Sequence, residues 1–176
     1  MNFNAMRLFL SEDNIKNHLE HLHTQRLRLS ILEKSVPQIK GKTITEIWRM
    51  GIDRDIKNEA SSLIWYIKSH ECFFNSFTET PERCKRLEKH YSSREKFLYD
   101  LFMMANDRDC GFLYVYNDMQ GKPQTVYSTG NDGAYIKFEP ILAIDTYEHT
   151  YFTDYGYNKE RFLRNALAYL NTGLLE

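Results

Sequence analysis

Two histidines lie on the apolar faces of long predicted helices, where a polar ring needs a partner. His18 falls between Ile15 and Leu22 on the first helix, and His70 falls on the apolar stripe of the second. Apolar residues three or four apart turn one helix face toward the core, so both imidazoles are expected to be buried. A single buried histidine is usually a satisfied core residue, but two on facing helices favour a shared ligand.

A second pair of donors follows an apolar predicted strand, in the segment Asp145-Thr146-Tyr147-Glu148-His149. The end of a strand is a rigid place from which to project ligands. With His18 and His70, the pair Asp145 and His149 makes a set of three imidazoles and one carboxylate. Such a set suits iron, manganese, zinc or cobalt and disfavours Cu(I). The donor chemistry alone leaves hydrolysis at zinc and redox chemistry at iron or manganese both open.

The remaining three histidines fit this pattern less well. His21 and His23 fall off the stripe that carries His18, and His90 lies in a charged stretch. No apolar periodicity draws them into the core, so His21 and His90 are expected to be solvated.

The elements that must position these donors are mainly helical in the first half of the chain. Ser11 is a good N-cap for a helix over 12–34, and a second long helix is predicted over 55–74. A short helix is predicted between them, over 43–50. The segment 78–81 reads as the junction between two lobes, a helical hairpin over residues 1–78 and an α/β lobe over residues 79–176.

In the second lobe the periodicity changes after one more helix, which begins near Ser92 or Ser93. Aromatic and β-branched runs separated by a turn-rich segment predict a hairpin, followed by a third strand and a last helix. The order of helices, then a helix, three strands and a helix indicates the α+β class. The predicted strands cover 111–117, 124–129 and 139–144, and the last helix covers 159–171.

Composition argues against several classes of protein. The formal net charge is −1, which provides no basic field for nucleic acid. No apolar run approaches the ~20 residues needed to cross a bilayer, and the N-terminal segment lacks the features of a secretion signal. We therefore expect a cytoplasmic protein without nucleic-acid or membrane partners. An odd number of cysteines without C-x-x-C spacing predicts three reduced thiols, at Cys72, Cys84 and Cys110.

Five segments together resemble the iron/manganese superoxide dismutases. Residues 144–151 are similar to the D-x-W-E-H-x-Y signature of that family, and residues 155–163 to its Y-x-N-x-R-x-x-Y-L helix start. Residues 109–115 resemble its G-S-G-W-x-W-L strand and residues 70–74 its H-x-x-[FY]-W motif. Residues 17–23 follow its F-H-Y-x-K-H-H pattern. The order and spacing of these segments identify the chain as a divergent member of the family.

The resemblance implies a fold with an N-terminal helical hairpin plus a C-terminal α/β lobe containing a three-stranded antiparallel sheet. It also implies one iron or manganese ion per chain, bound by His18, His70, Asp145 and His149. The implied activity is the conversion of superoxide to dioxygen and hydrogen peroxide. Nothing in the sequence distinguishes iron from manganese.

The positions of the family's gateway residues depart from its pattern. Arg26 stands where the family has a tyrosine, and Leu22 where it has a histidine. Phe152 stands where the partner subunit's tyrosine would bond that histidine. Both members of one hydrogen bond have thus become apolar together, which is milder than leaving one polar group unpaired. Arg26 could guide an anion or point to solvent, and the sequence leaves both open.

The surroundings of the metal are also altered. The tryptophan positions hold Phe74, Phe112 and Tyr147, which keeps the pocket aromatic. The outer glutamine is absent from both of its usual places, where this chain has Tyr66 and Asn131. Either side chain could reach the bound solvent. The resemblance therefore implies that Arg26, Tyr66, Asn131 and Tyr147 are the catalytic candidates around the metal.

Glu148 stands directly before His149, where the family has a glutamate that bonds the partner's ligand histidine. This implies a homodimer with Glu148, Phe152 and Leu22 at an interface that closes with two-fold symmetry. The function expected from the whole sequence is a superoxide dismutase. The alternative is a non-catalytic metal-binding or structural member of the same fold, and a different metal chemistry is a third option that nothing selects.

Overall fold

The computed structural model describes residues 3–129 and 139–176. Within them the chain forms eight α-helices, three strands and two short 3₁₀ helices, Pro37–Ile39 and Thr172–Leu175. None of the helices in the described ranges has both the length and the apolar character needed to cross a membrane. The helices are α1 Phe3–Met6, α2 Glu12–Ser35, α3 Ile44–Arg49, α4 Arg54–Asn75, α5 Lys85–His90, α6 Arg94–Asn106, α7 Glu148–Tyr155 and α8 Lys159–Ala168; the strands are β1 Phe112–Asn117, β2 Pro123–Ser128 and β3 Leu142–Asp145.

The two long helices begin where local hydrogen bonding allows. The Ser11 side chain accepts a hydrogen bond from the amide of Asn14 at the start of α2, as predicted. Asp53 accepts from the first amides of α4 in the same way. Helices α2 and α4 pack against each other and form the predicted helical hairpin. Their buried faces include His18 and His70.

The three strands form the predicted antiparallel sheet, in the order β2-β1-β3. The central strand β1 is buried from Phe112 to Val115, as expected for a strand covered on both sides. Its register places Phe112 opposite Asp145, the last residue of β3. Helix α4 packs against β3, so the sheet brings Asp145 to the helix that carries His70. This architecture is the α+β fold that the sequence predicts.

Ser76, at the end of α4, ties the ligand-bearing helix to the sheet. Its hydroxyl donates to the carbonyl of Cys72 at 2.8 Å and accepts from the amide of Ala143 in β3 at 2.8 Å. Its carbonyl accepts from the amide of Asn171 at 2.8 Å. The side chain is fully buried, so these bonds are shielded from water. Side chains from both sides of residue 78 share one hydrophobic core, and the division of the chain at that residue stays a prediction.

Four of the α-helices differ from the sequence predictions. Helices α1 and α5 were not predicted, and neither was α7, which begins at Glu148 directly after the sheet. Helix α8 ends at Ala168 rather than at residue 171, because Leu170 forms a β-bridge with Phe77. The presence of helix α7 matters most for function, since it places His149 on the first turn of a helix.

Candidate metal centre

Four different elements each supply one of the predicted ligands. His18 lies on α2, His70 on α4, Asp145 at the end of β3 and His149 on the first turn of α7. Helix α4 packs against both α2 and β3, and α2 also packs against α7. Tertiary packing therefore brings the four side chains together, with two donors from each predicted lobe.

The donor atoms converge on one carboxylate oxygen. Asp145 Oδ2 lies 3.3 Å from His18 Nε2, 3.5 Å from His70 Nε2 and 3.4 Å from His149 Nε2. All four potential ligand atoms lie within 4.8 Å of one another. The side chains of His18, His70 and Asp145 are 0% exposed, whereas that of His149 is 33% exposed. Three of the four side chains are therefore fully buried, and the cluster meets solvent at His149.

Several of these buried atoms lack hydrogen-bond partners within the described part of the chain. They include His18 Nε2, His70 Nε2 and Asp145 Oδ2. Leaving a buried polar group unpaired costs about 1–3 kcal/mol, so such groups in a native fold need a reason. A cation shared by the three imidazoles and the carboxylate would satisfy them. The residues thus fit a single metal ion with three nitrogen donors and one oxygen donor.

Backbone groups fix the orientation of two donors. His70 Nδ1 lies 2.8 Å from the carbonyl oxygen of Tyr66, to which it donates, and this leaves the Nε2 lone pair for a metal. The amide of Tyr147 donates to Asp145 Oδ1 at 2.9 Å, which leaves Oδ2 facing the histidines. Outer contacts of this kind set the tautomer and aim of metal ligands.

The electrostatics of His70 and Asp145 favour the protonation states that a metal requires. Burial lowers the pKa of His70 to about 4, although the charge of Asp145 acts in the opposite direction. Burial alone would raise the pKa of Asp145. The charge of His149, with contributions from His18 and His70, outweighs burial and holds that pKa well below its usual range. For His149 the nearby Asp145 overcomes burial and raises the pKa, so a metal ion competes with a proton at this imidazole. Neutral imidazole and ionised carboxylate are the forms that bind a cation.

Aromatic rings line the cluster, as the sequence predicts. The centroid of Phe74 lies 5.0 Å from that of His18, and Phe112 lies 5.2 Å from His70. Tyr147 stacks on His149 at 5.7 Å. These contacts surround the donors with apolar surface.

The predicted catalytic candidates occupy different places. The ring of Tyr66 lies 4.3 Å from that of His70, and the hydroxyl of Tyr147 donates to the carbonyl of Thr129 at 2.6 Å. Arg26 forms an ion pair with Glu71 at 2.7 Å, so its charge is offset. Asn131 lies outside the described residues.

His21 corrects one expectation, because it is not a solvated surface histidine. Its Nε2 lies 2.9 Å from the hydroxyl of Tyr66, and its ring centroid lies 5.1 Å from that of His149. Burial, followed by the charges of His149 and His18, lowers the pKa of His21. The signal was its position three residues after His18, a spacing that makes two helix residues neighbours.

The residues predicted for a dimer interface divide into two groups. Glu148 is exposed, and Phe152 is 44% exposed with its ring 5.0 Å from that of Tyr157. Leu22 is 1% exposed and packs inside the core of its own chain. Glu148 and Phe152 lie in the same helix as the exposed ligand candidate His149.

One family model matches this chain. It describes the C-terminal domain of iron/manganese superoxide dismutases and matches residues 79–174. No curated protein matches the chain at a significant level. The matched region holds Asp145 and His149, and the fold brings His18 and His70 to them from outside it. The chain belongs to the iron/manganese superoxide dismutase family.

Proposed function

We propose that this protein is a superoxide dismutase with one iron or manganese ion bound by His18, His70, Asp145 and His149. The observation that carries the proposal is the convergence of three imidazole nitrogens on Asp145 Oδ2, at 3.3–3.5 Å, in a buried cluster. Family membership favours redox chemistry over zinc hydrolysis, which the donor set leaves open. The reaction consumes two superoxide ions and two protons and yields dioxygen and hydrogen peroxide.

When bound, the ion would supply one-electron redox chemistry, oxidising one superoxide ion and reducing a second. The chain's own residues supply the rest. Phe74 and Phe112 cover the buried rings of His18 and His70, and Tyr147 stacks on one face of His149. The Tyr66 ring lies against His70 and its hydroxyl bonds His21, so this hydroxyl is a polar group that could hold a proton near the cluster. We assign Tyr66 and Tyr147 to the catalytic surroundings, together with Asn131 as predicted from the sequence.

We also propose that the protein is a homodimer and that its location is cytoplasmic. Glu148 and Phe152 support the dimer, because both are exposed next to His149, the one ligand candidate open to solvent. A second subunit on this surface would shield the metal centre. The thiols of Cys72, Cys84 and Cys110 are free, which is compatible with a reducing compartment.

A non-catalytic metal-binding or structural role is the second candidate, and one contact favours it. Arg26 could attract superoxide only with an uncompensated charge, whereas it is ion-paired with Glu71 at 2.7 Å. The buried donor cluster argues against a purely structural role, since a scaffold needs no unpaired polar groups in its interior.

Pulse radiolysis on protein whose metal content is measured in the same sample separates the two candidates. We expect superoxide decay whose rate is proportional to bound iron or manganese. A His70→Ala variant, matched with His23→Ala at an exposed position of α2, provides the control. Full metal occupancy with decay at the background rate would leave the binding role and remove the catalytic one.

A further inference from the structure

The open side of the metal centre is lined by a histidine that is not among the four ligand candidates. Of those four, only His149 is exposed, so among the described residues the centre meets solvent on the His149 side. The His21 ring lies on that side, 5.1 Å from the ring of His149 and 5.9 Å from that of His70. A small solute that approaches from this side therefore passes His21.

Tyr66 is fixed at both ends next to His21. Its carbonyl oxygen accepts the hydrogen bond from His70 Nδ1 at 2.8 Å, and its ring lies 4.3 Å from that of His70. Its hydroxyl lies 2.9 Å from His21 Nε2. Tyr66 belongs to α4 and His21 to α2, so the bond spans the two helices of the hairpin. The phenol cannot turn away from the centre without breaking this bond.

We propose that His21 is a positioning residue that orients the Tyr66 hydroxyl as the hydrogen-bond donor for a small anion at the metal centre. The inference rests on the metal centre of the proposed function. The chemical class of the ligand is a small monoanion such as superoxide or azide. His21 donates through Nε2–H to the phenol oxygen, and the phenol hydrogen is then directed away from His21.

Two features of the surroundings support this arrangement. The phenol of Tyr66 holds its hydrogen at neutral pH, because the ordinary pKa of tyrosine is about 10. Arg26 forms an ion pair with Glu71, whose carboxylate offsets the positive charge of the guanidinium. A neutral donor bound by a neighbouring imidazole attracts an anion without adding a charge to a buried site, which would be costly.

Azide titration of the iron-loaded protein, followed by visible absorption, tests the pair. The variants are His21→Leu, Tyr66→Phe, the double variant and His21→Gln, whose amide reaches the place of Nε2. Loss of one hydrogen bond predicts azide binding weaker by about 2- to 10-fold in each single variant. The double variant is expected to bind azide as weakly as the weaker single variant, because both changes remove the same interaction. His21→Gln restores affinity, and the exposed control His23→Leu leaves it unchanged.

Iron content provides a second readout and is expected to be equal in all variants, since neither residue is a ligand candidate. Equal azide affinity in the wild type and His21→Leu, additive losses in the double variant, or an absence of any azide-induced change in the wild type each overturns the inference. Superoxide decay is measured separately. Coupled azide losses without dismutation overturn the proposed function and keep the pair; fast dismutation with uncoupled azide binding overturns the pair alone.

Discussion

At the scale of single residues, the four ligand candidates are set apart by what surrounds them. A core histidine normally has both ring nitrogens in hydrogen bonds, yet His18 Nε2 and His70 Nε2 have no partner among the described residues. They instead face Asp145 Oδ2. The burial that lowers the pKa of His70 is the same burial that would make the unligated centre unfavourable.

Replacing His70 with alanine is expected to abolish stable metal binding. The change removes one of four donors at the centre, so the loss of affinity should exceed the ~10- to 100-fold that is typical when an outer-shell partner is lost. Metal content after dialysis against a weak chelator, measured by atomic emission, checks this. The exposed His23→Ala variant should keep its metal. Retention of metal by His70→Ala would show that the ligand set is wrong.

The metal-free protein should lose stability as the pH falls from about 6.5 to about 4. The pKa of His70 is lowered from 6.5 to about 4 in the folded chain. Between these values the unfolded chain binds the extra proton, and the free energy of unfolding therefore rises with pH. This single group accounts for at most ~3 kcal/mol across the window.

Urea denaturation of the metal-free protein at pH 5 and pH 7 measures this difference. The pKa of His149 is raised in the fold and acts in the opposite direction. The decisive comparison is therefore between the wild type and His70→Gln, in which His149 remains. An equal pH dependence of unfolding in the two proteins would contradict the burial of an uncharged His70.

Residue types and motif spacing were sufficient to predict the ligand candidates and the aromatic lining, but not the role of His21. The spacing of His21 from His18 makes the two residues neighbours on α2, but helical periodicity does not report which residues meet across two helices. The bond between His21 and Tyr66 depends on how α2 and α4 are rotated about their axes. That rotation is set by the packing of the whole hairpin.

At the scale of elements, a buried amide holds α2 against α7. Asn14 Nδ2 donates to the carbonyl of Thr150 at 3.0 Å and to Asp154 Oδ2 at 3.0 Å. The backbone amide of Ser11 donates to the same carboxylate oxygen at 2.8 Å. Asn14 lies one helical turn before His18, and Thr150 directly follows His149. These bonds therefore set the distance between two of the proposed ligands.

Changing Asn14 to alanine is expected to lower both stability and metal affinity. The variant loses the two hydrogen bonds that Asn14 donates to the Thr150 carbonyl and to Asp154, and the free energy of unfolding should fall by about 1–3 kcal/mol. Metal affinity should fall by roughly 10-fold, because outer contacts that position ligands have effects of this order. Urea denaturation and competition with a chromogenic chelator measure the two quantities.

Asn17→Ala, at an exposed position on the same helix, is the matched control and should change neither quantity. A loss of stability without any loss of metal affinity would show that Asn14 supports the fold but does not position the ligands.

The boundaries of the elements show which local signals sufficed. Side-chain caps at Ser11 and Ser93 mark the starts of α2 and α6; the first was predicted at Ser11, and the second at either Ser92 or Ser93. Helix α7 has no side-chain cap hydrogen bond at Tyr147, so the sequence lacks the usual signal for its start. Its first turn instead follows β3 directly through the bond from the Tyr147 amide to Asp145 Oδ1.

At the scale of the whole molecule, the surface beside the metal centre determines whether one chain is enough to enclose that centre. The fold class and the sheet were predictable because the helical and strand periodicities are separated along the chain. The contribution of a second subunit cannot be read from periodicity, because exposed and interface residues obey the same pattern. In the single chain His149 remains 33% exposed, next to Glu148 and Phe152.

A dimer formed through this surface makes a specific prediction about Phe152. Phe152→Asp places a charge on an apolar face that includes the 86% exposed Tyr157, and it should shift the protein from two chains to one. Sedimentation velocity measures the shift, and Met119→Asp, at an apolar side chain 90% exposed in the β1–β2 turn, should leave the assembly unchanged. Glu148→Ala should lower metal retention along with dimer stability. If Phe152→Asp and Glu148→Ala both sediment as the wild type does, one chain completes the centre alone. A monomeric wild type with full metal content would lead to the same conclusion.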